Sequence, residues 1–404
     1  CLAIKPREHT QSLFIITADL GWWMNAADEY AIRQEVLEGF GLEPAQLIFC
    51  LSHTHAGPSI CSNDKNKPGG EYIVPYLQQL KDTMKALMQA ASQHLQAGYL
   101  SWEYGKCSLA VNRDMPGDGA ATYWVGYNPD KIADDTLLFG HILSERGIPI
   151  CSIVNYACHP TTLAYDNRKV SPDFIGSMRE TISGRTKVPC LFLQGASGDL
   201  APMIQYVADT AAADANGRQL GYAALSVYEH MLPPGMGYRF REWLPSGAPL
   251  AIWEYSPLLG KSDVYTQMLQ VEVPLKPMPS LQEIQQEWAA CKDTVQKDRL
   301  WRKLNTRLAL ADGTTALLPV WIWKLGDAFI VAQPNEAYSY FQKRIRESFP
   351  DKKIVCINIA NGYIGYLPTS DFYDKDIYAC NISSFAKGSL EILTDAVIDC
   401  IRKM

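Results

Sequence analysis

The chain has no apolar run approaching the ~18 residues of a membrane span, no Cys-x-x-Cys pair, and no basic run beyond short pieces such as residues 343–346 (KRIR). Each absence removes a class of function. No transmembrane segment is expected, and no redox or zinc-finger motif of paired cysteines. A net charge of −6 and a pI near 5.7 argue against a polyanion-binding surface, so nucleic acid is not an expected partner. Eleven cysteines, an odd number, fall mostly inside apolar runs (Cys50, Cys151, Cys190, Cys356), where free thiols pack as small hydrophobes, and no disulfide framework is read. The sequence begins at Cys1 without an initiator Met and shows no charged n-region or signal-type apolar core. That leaves two readings open, a leader and first strands preceding Cys1 or a cytosolic protein, and the compartment unassigned.

What is present is an ordinary globular composition, 47% hydrophobic and 20% charged over 404 residues, enough to bury a large core. Strand-like apolar stretches (12–20, 46–51, 99–111, 136–143, 149–156, 188–194, 266–274, 316–323, 328–332, 353–360) alternate with helical periodicities (25–40, 70–96, 172–183, 209–230, 280–308, 336–348, 388–404). The alternation predicts an α/β layer fold, a mixed β-sheet with helices packed on it. Residues 116–135 read as a long surface loop. The Pro/Gly-rich residues 233–260 read as an irregular excursion within a single domain spanning 1–404.

Reactive residue types gather at the carboxyl ends of the apolar strands: Asp19, His53 with His55 in LSHTHAGP, His159 in NYACHPTT, Glu336 in QPNEAY, and Asn361, Tyr363 and Tyr366 in NGYIGY. GASGDL offers Ser197 and Asp199 at a further strand end. Open α/β sheets bind ligands at that edge, so the predicted site lies there. In an extended segment residues i and i+2 share a face, which would let His53 and His55 converge on one metal or substrate. Of seven histidines, His9, His94, His141 and His230 have no comparable context. Two or three imidazoles with a carboxylate form the ligand set of catalytic zinc, and Glu336 is the carboxylate of choice. Glu336 also reads as the acidic start of a helix, Asp173 as a helix cap, Asp199 as a turn former, and Arg113 in VNRD as either a solvated arginine or a forked donor at the site edge.

HTHAGP, VNR, HPTT, VSPDFIG, GASGDLAP, PNEAYS and NGYIGYLPTSDFYDKDIY occur in the order and at similar spacing to HTHSGP, NRS, HPTS, SSDNVG, SNLGDVSPN, an E-F-T segment and NxYxxYVTTxEEYxxQxYE. The chain therefore resembles the neutral/alkaline non-lysosomal ceramidase family over nearly its whole length. The resemblance implies zinc held by His53, His159, Glu336 and Tyr366, with Tyr363 the rival of Tyr366. It further implies substrate or transition-state contacts from His55, Arg113 and Tyr378, the last twelve positions after Tyr366.

The expected activity is zinc-dependent, ceramidase-like hydrolysis of an N-acyl bond in a sphingoid lipid or related compound by zinc-activated water. His55 would move the proton, and Tyr378 and Arg113 would hold the oxyanion or head group. Peripheral contact with membrane lipid is expected, as is the family's tendency to be secreted or periplasmic. Three departures stand out. The family's Gly-rich opening is missing, and the chain ends where its immunoglobulin-like domain would begin. The serine of SNLGD aligns with Gly195, which excludes a serine nucleophile there. DFYDKDIYA keeps the tyrosine of the family's EEYxxQxYE but not its neighbours. The competing readings are a TIM-barrel amidohydrolase, which also opens with His-x-His, and a noncatalytic lipid or glycan binder on the same scaffold.

Overall fold

A computed structural model describes residues 1–7, 11–119, 121–258, 260–310 and 313–404. The strand Ala328–Ala332 shows why the apolar runs are continuous rather than alternating. All five residues are buried, Phe329 and Val331 toward one core and Ala328, Ile330 and Ala332 toward another. A strand with a core on each face has no polar side to display. Lys353–Ile357 repeats the arrangement, with Ile354 and Cys356 on one side and Val355 and Ile357 on the other.

The architecture is mixed α/β with several sheets, rather than the one mixed sheet expected from the sequence. One four-stranded sheet has the order Cys190–Gln194, Pro149–Tyr156, Thr136–Ser144, Gly98–Lys106, and a second has the order Val264–Pro274, Thr315–Leu325, Ala328–Ala332, Lys353–Ile357. Each holds a single parallel pair, 149–156 with 190–194 and 328–332 with 353–357. A three-stranded sheet of Leu2–Ile4, Leu13–Ala18 and Leu47–Leu51 adds a third parallel pair. The sheets face one another across a core that includes Ile15, Ile48, Ile153, Leu193, Trp321, Ile330 and Val355.

Helices cover the outer faces. Phe174–Thr186 and Thr210–His230 pack on the first sheet, Tyr340–Ser348 and Ser389–Arg402 on the second, and Ala26–Phe40 with Ile73–Gln93 on the third. No parallel eight-stranded barrel is formed among the described residues, which removes the amidohydrolase alternative.

The three parallel pairs put their carboxyl ends together, and hydrogen bonds stitch them there. Leu51 N–H donates to Ile359 O at 3.1 Å, Asn358 N–H to Gln194 O at 2.9 Å, and the Asn155 side-chain amide to Cys356 O at 2.8 Å. The chain leaves this edge through left-handed backbone at His53 (φ 68°), Ile359 (φ 55°) and Asn361 (φ 51°). Such conformations cost about 1–3 kcal/mol each in non-glycine residues and persist only where surrounding contacts hold them. Asn361 shows how: its side-chain amide donates to Leu47 O, its side-chain oxygen accepts from Phe49 N–H, and its own N–H donates to Phe49 O.

Three local expectations are corrected. Residues 233–260 contain an antiparallel ribbon, Met236–Leu244 with Leu250–Pro257, interrupted by a register shift between Phe240 and Glu242, whose exposed Tyr238, Phe240, Trp253 and Tyr255 pair across the strands. The helix expected over 280–308 is two helices, Leu281–Ala290 and Thr294–Leu310. Ser280 caps the first, and the Asp293 side chain accepts from Gln296 N–H at the start of the second. The helix expected from Glu336 begins only at Tyr340, because Glu336–Ala337 forms a two-residue strand parallel to Tyr366–Leu367. Residues 116–135 remain largely loop, with a short pairing of Asp114–Pro116 and Tyr123–Val125.

Candidate active site

His53 and His159 come from two different strand ends, and their outer ring nitrogens meet. His53 Nε2 lies 3.2 Å from His159 Nε2, and Glu336 Oε2 lies 3.2 Å from the first and 2.9 Å from the second. Tyr366 Oη is 3.3 Å from His159 Nε2. All four side chains are buried, none more than 4% exposed. The short parallel pairing of Glu336 with Tyr366 explains why two residues thirty positions apart arrive together.

The inner nitrogens decide the chemistry. His53 Nδ1 lies 3.0 Å from Gly21 O and His159 Nδ1 lies 2.7 Å from Ser197 O. A carbonyl only accepts, so both Nδ1 atoms carry the proton, and in the neutral rings both Nε2 atoms present bare lone pairs to each other. Glu336 Oε1 is satisfied by the Tyr363 hydroxyl, which donates at 2.7 Å, leaving Oε2 aimed at the imidazoles. Three acceptors facing one another, with the Tyr366 phenol the one donor beside them, are mutually repulsive unless a proton or a metal cation sits among them. Their spacing of 2.9–3.3 Å is close to the ~3.3 Å edge of a tetrahedron with ligands ~2.0–2.1 Å from zinc. Carbonyl partners on Nδ1 and a phenol on Oε1 are also the outer contacts that orient metal ligands. The residues present therefore fit a metal.

Electrostatics point the same way. Burial alone would raise the Glu336 carboxyl, but positive charge on His53 and His159 holds it well below the usual carboxylate range, and a cation held among these ligands in place of those protons would likewise keep it ionised. Burial, reinforced by the Arg113 charge, lowers His159 to about 4 and keeps it neutral, as a ligand must be. Burial raises the Tyr366 phenol, with Arg113 pulling in the opposite direction.

His55 has a different position. The sequence placed it beside His53 on one face of an extended strand; instead the strand ends at Leu51 and the left-handed His53 turns the chain. The two rings still lie 5.0 Å apart, with His53 buried and His55 open to the cavity. Burial of the surrounding wall and the neighbouring His53 and His159 lower its pKa well below the ordinary value. Ring nitrogens of His53, His55 and His159 all fall within 4.8 Å of one another, a cluster able to hold a metal ion. Of the remaining histidines His9 lies outside the described residues, and His94, His141 and His230 take no part in the cluster.

Arg113 is buried behind Tyr366. Its Nε and Nη2 donate to Gly198 O at 3.1 and 2.9 Å, and Nη2 also donates to Tyr366 Oη at 2.8 Å. Tyr378 stands at the cavity wall with its ring 5.8 Å from that of Tyr366. Asp199 accepts from the backbone N–H and hydroxyl of Ser339, bracing the segment after Glu336, and Asp173 caps its helix. Asp19 is paired with Arg179, away from the cluster.

The Ser197 hydroxyl accepts from the Gln194 side chain at 2.6 Å and does not line the cavity. At Gly195 a Cβ would lie 2.8–2.9 Å from the Cβ, Cα and N of Ala157, so the backbone approach itself requires glycine.

The cluster opens into a cavity of about 840 Å³, large enough for a small amphiphile. The helix Thr294–Leu310 forms the facing wall. Sequence reasoning missed Trp22, whose indole lies 5.6 Å from the His53 ring and 5.1 Å from the His55 ring. Its signal was available: Trp22 follows the strand 13–18 at the same carboxyl edge.

No family model matches this sequence, and no curated protein matches it. Solved structures do match in three dimensions, two ceramidases among them. A ceramidase complexed with C2 superposes with a TM-score of 0.65 at 15% identity over 98% of this chain and 68% of the other. Neutral ceramidase from Pseudomonas aeruginosa superposes with a TM-score of 0.65 at 16% identity over 97% of this chain and 66% of the other. The chain thus spans about two thirds of the length of each. At that identity the similarity is one of architecture: this chain has the neutral ceramidase fold.

Proposed function

We propose that the chain is a zinc-dependent hydrolase of N-acyl amides, ceramidase-like in mechanism, with a lipid amide as substrate. The observation that carries the reading is the convergence of His53 Nε2, His159 Nε2 and Glu336 Oε2, three acceptors without a donor among them, at the floor of an amphiphile-sized cavity. These three and Tyr366 Oη would hold the metal. His55 makes no comparably close contact with the cluster and is assigned to proton transfer. When bound, zinc supplies a Lewis acid that polarises the carbonyl and acidifies water.

The chain's own residues do the rest. His55, kept neutral by its lowered pKa and open to the cavity, accepts a proton from the water attacking the carbonyl carbon and passes it to the amide nitrogen as the C–N bond breaks. Burial raises the Tyr378 phenol, so it stays protonated and donates to the developing oxyanion. Arg113 acts one residue removed, through Tyr366. With Gly195 lacking a side chain and the Ser197 hydroxyl engaged elsewhere, attack is by water without an acyl-enzyme. The products are a carboxylate and a free amine.

The test is a panel of N-acyl amides offered to purified protein with zinc and with chelator. The reading expects amine release with zinc and none with chelator. Ligands bound but left intact under both conditions would make the protein a binder instead.

A further inference from the structure

The cavity wall opposite the metal-fitting cluster is unlike the rest of the molecule in charge. The protein carries −6 overall. Away from Glu336, however, the cavity is lined by Lys276, Arg299, Arg302 and Lys303 against only Glu287 and Asp298. Arg299, Arg302 and Lys303 stand at i, i+3 and i+4 on Thr294–Leu310, so one helical face delivers all three. Arg302 takes up Asp298, bonded through Nε at 2.9 Å. Among the described residues Arg299 and Lys303 enter no ion pair, which leaves their charges uncompensated toward the cavity.

These cations have a fixed relation to the reacting centre. The Arg302 guanidinium lies 5.6 Å over the Trp22 ring, and that indole packs 5.1 Å from His55. A contiguous row of guanidinium, indole and tilted imidazole thus runs from the basic wall to the residue assigned to protonate the departing amine. A substrate whose amine portion lies along this row brings the far end of that portion to Arg299, Arg302 and Lys303.

We infer, resting on the amide-hydrolase reading, that the substrate's amine portion bears an anionic group, a carboxylate, sulfonate or phosphate, which Arg299, Arg302 and Lys303 receive. A neutral amino-alcohol head would leave two cations unanswered. Hydrolysis cleaves the C–N bond with uptake of one water, giving the fatty carboxylate and an amine that keeps its anion. Because these charges stand at a solvent-open wall, attraction falls with ionic strength over the ~10 Å screening length at 0.1 M salt.

The experiment uses the full chain loaded with zinc and four amides of one acyl length: N-lauroylglycine, N-lauroyltaurine, N-lauroylethanolamine phosphate and neutral N-lauroylethanolamine. Binding of each is also measured on metal-free protein, where no turnover occurs. At least one anionic amide is expected to exceed the neutral one tenfold or more in kcat/KM and in affinity, and the best of the three identifies the anion. The double variant Arg299→Gln/Lys303→Gln should reduce that preference at least fivefold, and 0.5 M salt should reduce it in the wild type. Equal or better handling of the neutral amide, or an anionic preference untouched by the double variant, overturns the inference while amide hydrolysis stands. Anionic preference in binding without hydrolysis of any amide overturns the hydrolase reading, and with it the inference about substrate.

Discussion

Arg113 separates two roles that the sequence leaves open, contact with substrate and support of Tyr366. The guanidinium is 4% exposed and donates to Gly198 O and to Tyr366 Oη. Charge-assisted hydrogen bonds are worth about 1.5–3 kcal/mol each, so the two partners together contribute about 3–6 kcal/mol before the cost of burying the cation. In Arg113→Met, which keeps the aliphatic stem, is shorter and removes every donor, relief of that burial cost offsets part of the loss, and the net cost is about 1–3 kcal/mol, the penalty of leaving buried acceptors unpaired. The larger consequence falls on the metal. Losing a group that orients a ligand typically weakens metal binding or activity by about 10- to 100-fold, and Tyr366 without Arg113 also loses the cation that favours its phenolate. The assay is competition with a chelator of known affinity to obtain the zinc Kd, beside steady-state kinetics at saturating zinc. The expected result is a zinc Kd raised about tenfold or more with KM little changed. A KM raised tenfold with zinc affinity within about twofold of wild type would refute the positioning role and return Arg113 to the substrate.

His159→Ala should lose metal and activity together. His55→Ala should keep its metal and lose about 10²- to 10⁴-fold in kcat, the usual worth of a proton-transfer group; metal absent from the His55 variant, by elemental analysis, would reverse the assignment of the pair. Gly195→Ser forces a Cβ to within 2.9 Å of Ala157 backbone atoms and should cost about 1–3 kcal/mol in chemical unfolding without creating a phosphonate-reactive serine. Burial, with Asp199 adding to it, pushes the Asp114 carboxyl up to about 7. Since its folded value lies above its unfolded one, its stabilising contribution is complete below pH ~4 and is lost as pH rises through 7, by about 4 kcal/mol. Unfolding midpoints should therefore fall between pH 4 and 7 in the wild type and fall less in Asp114→Asn; equal slopes would contradict the assignment.

The carboxyl-edge logic was legible because each apolar strand ends abruptly in a Gly- or Pro-flanked turn carrying a polar residue. His53, His159, Glu336 and Tyr366 all follow such runs, and the structure brings them within hydrogen-bonding distance. What pattern reasoning could not supply was direction. Pro334-Asn335-Glu336 reads locally as a helix start, yet pairing with Tyr366–Leu367 holds it extended, a long-range contact with no local signature. The i, i+2 geometry assumed for His53 and His55 failed because His53 adopts left-handed backbone, which the sequence marks only in glycine. Arg113 was visible as a candidate, but whether it faced substrate or Tyr366 depends on the antiparallel bridge of Ala110–Asn112 to Leu200–Pro202. Separate sheets facing one another look, in one dimension, like the single mixed sheet first expected. The basic wall on Thr294–Leu310 stayed hidden because charges on an amphipathic helix ordinarily mean solvent.

Anomalous X-ray scattering on either side of the zinc edge, from crystals of protein purified without chelator and supplied with zinc, tests the central claim most directly. The account predicts one zinc per chain, ~2.0–2.2 Å from His53 Nε2, His159 Nε2, Glu336 Oε2 and Tyr366 Oη. Zinc bound elsewhere, or this cluster left without metal at millimolar zinc, would contradict it.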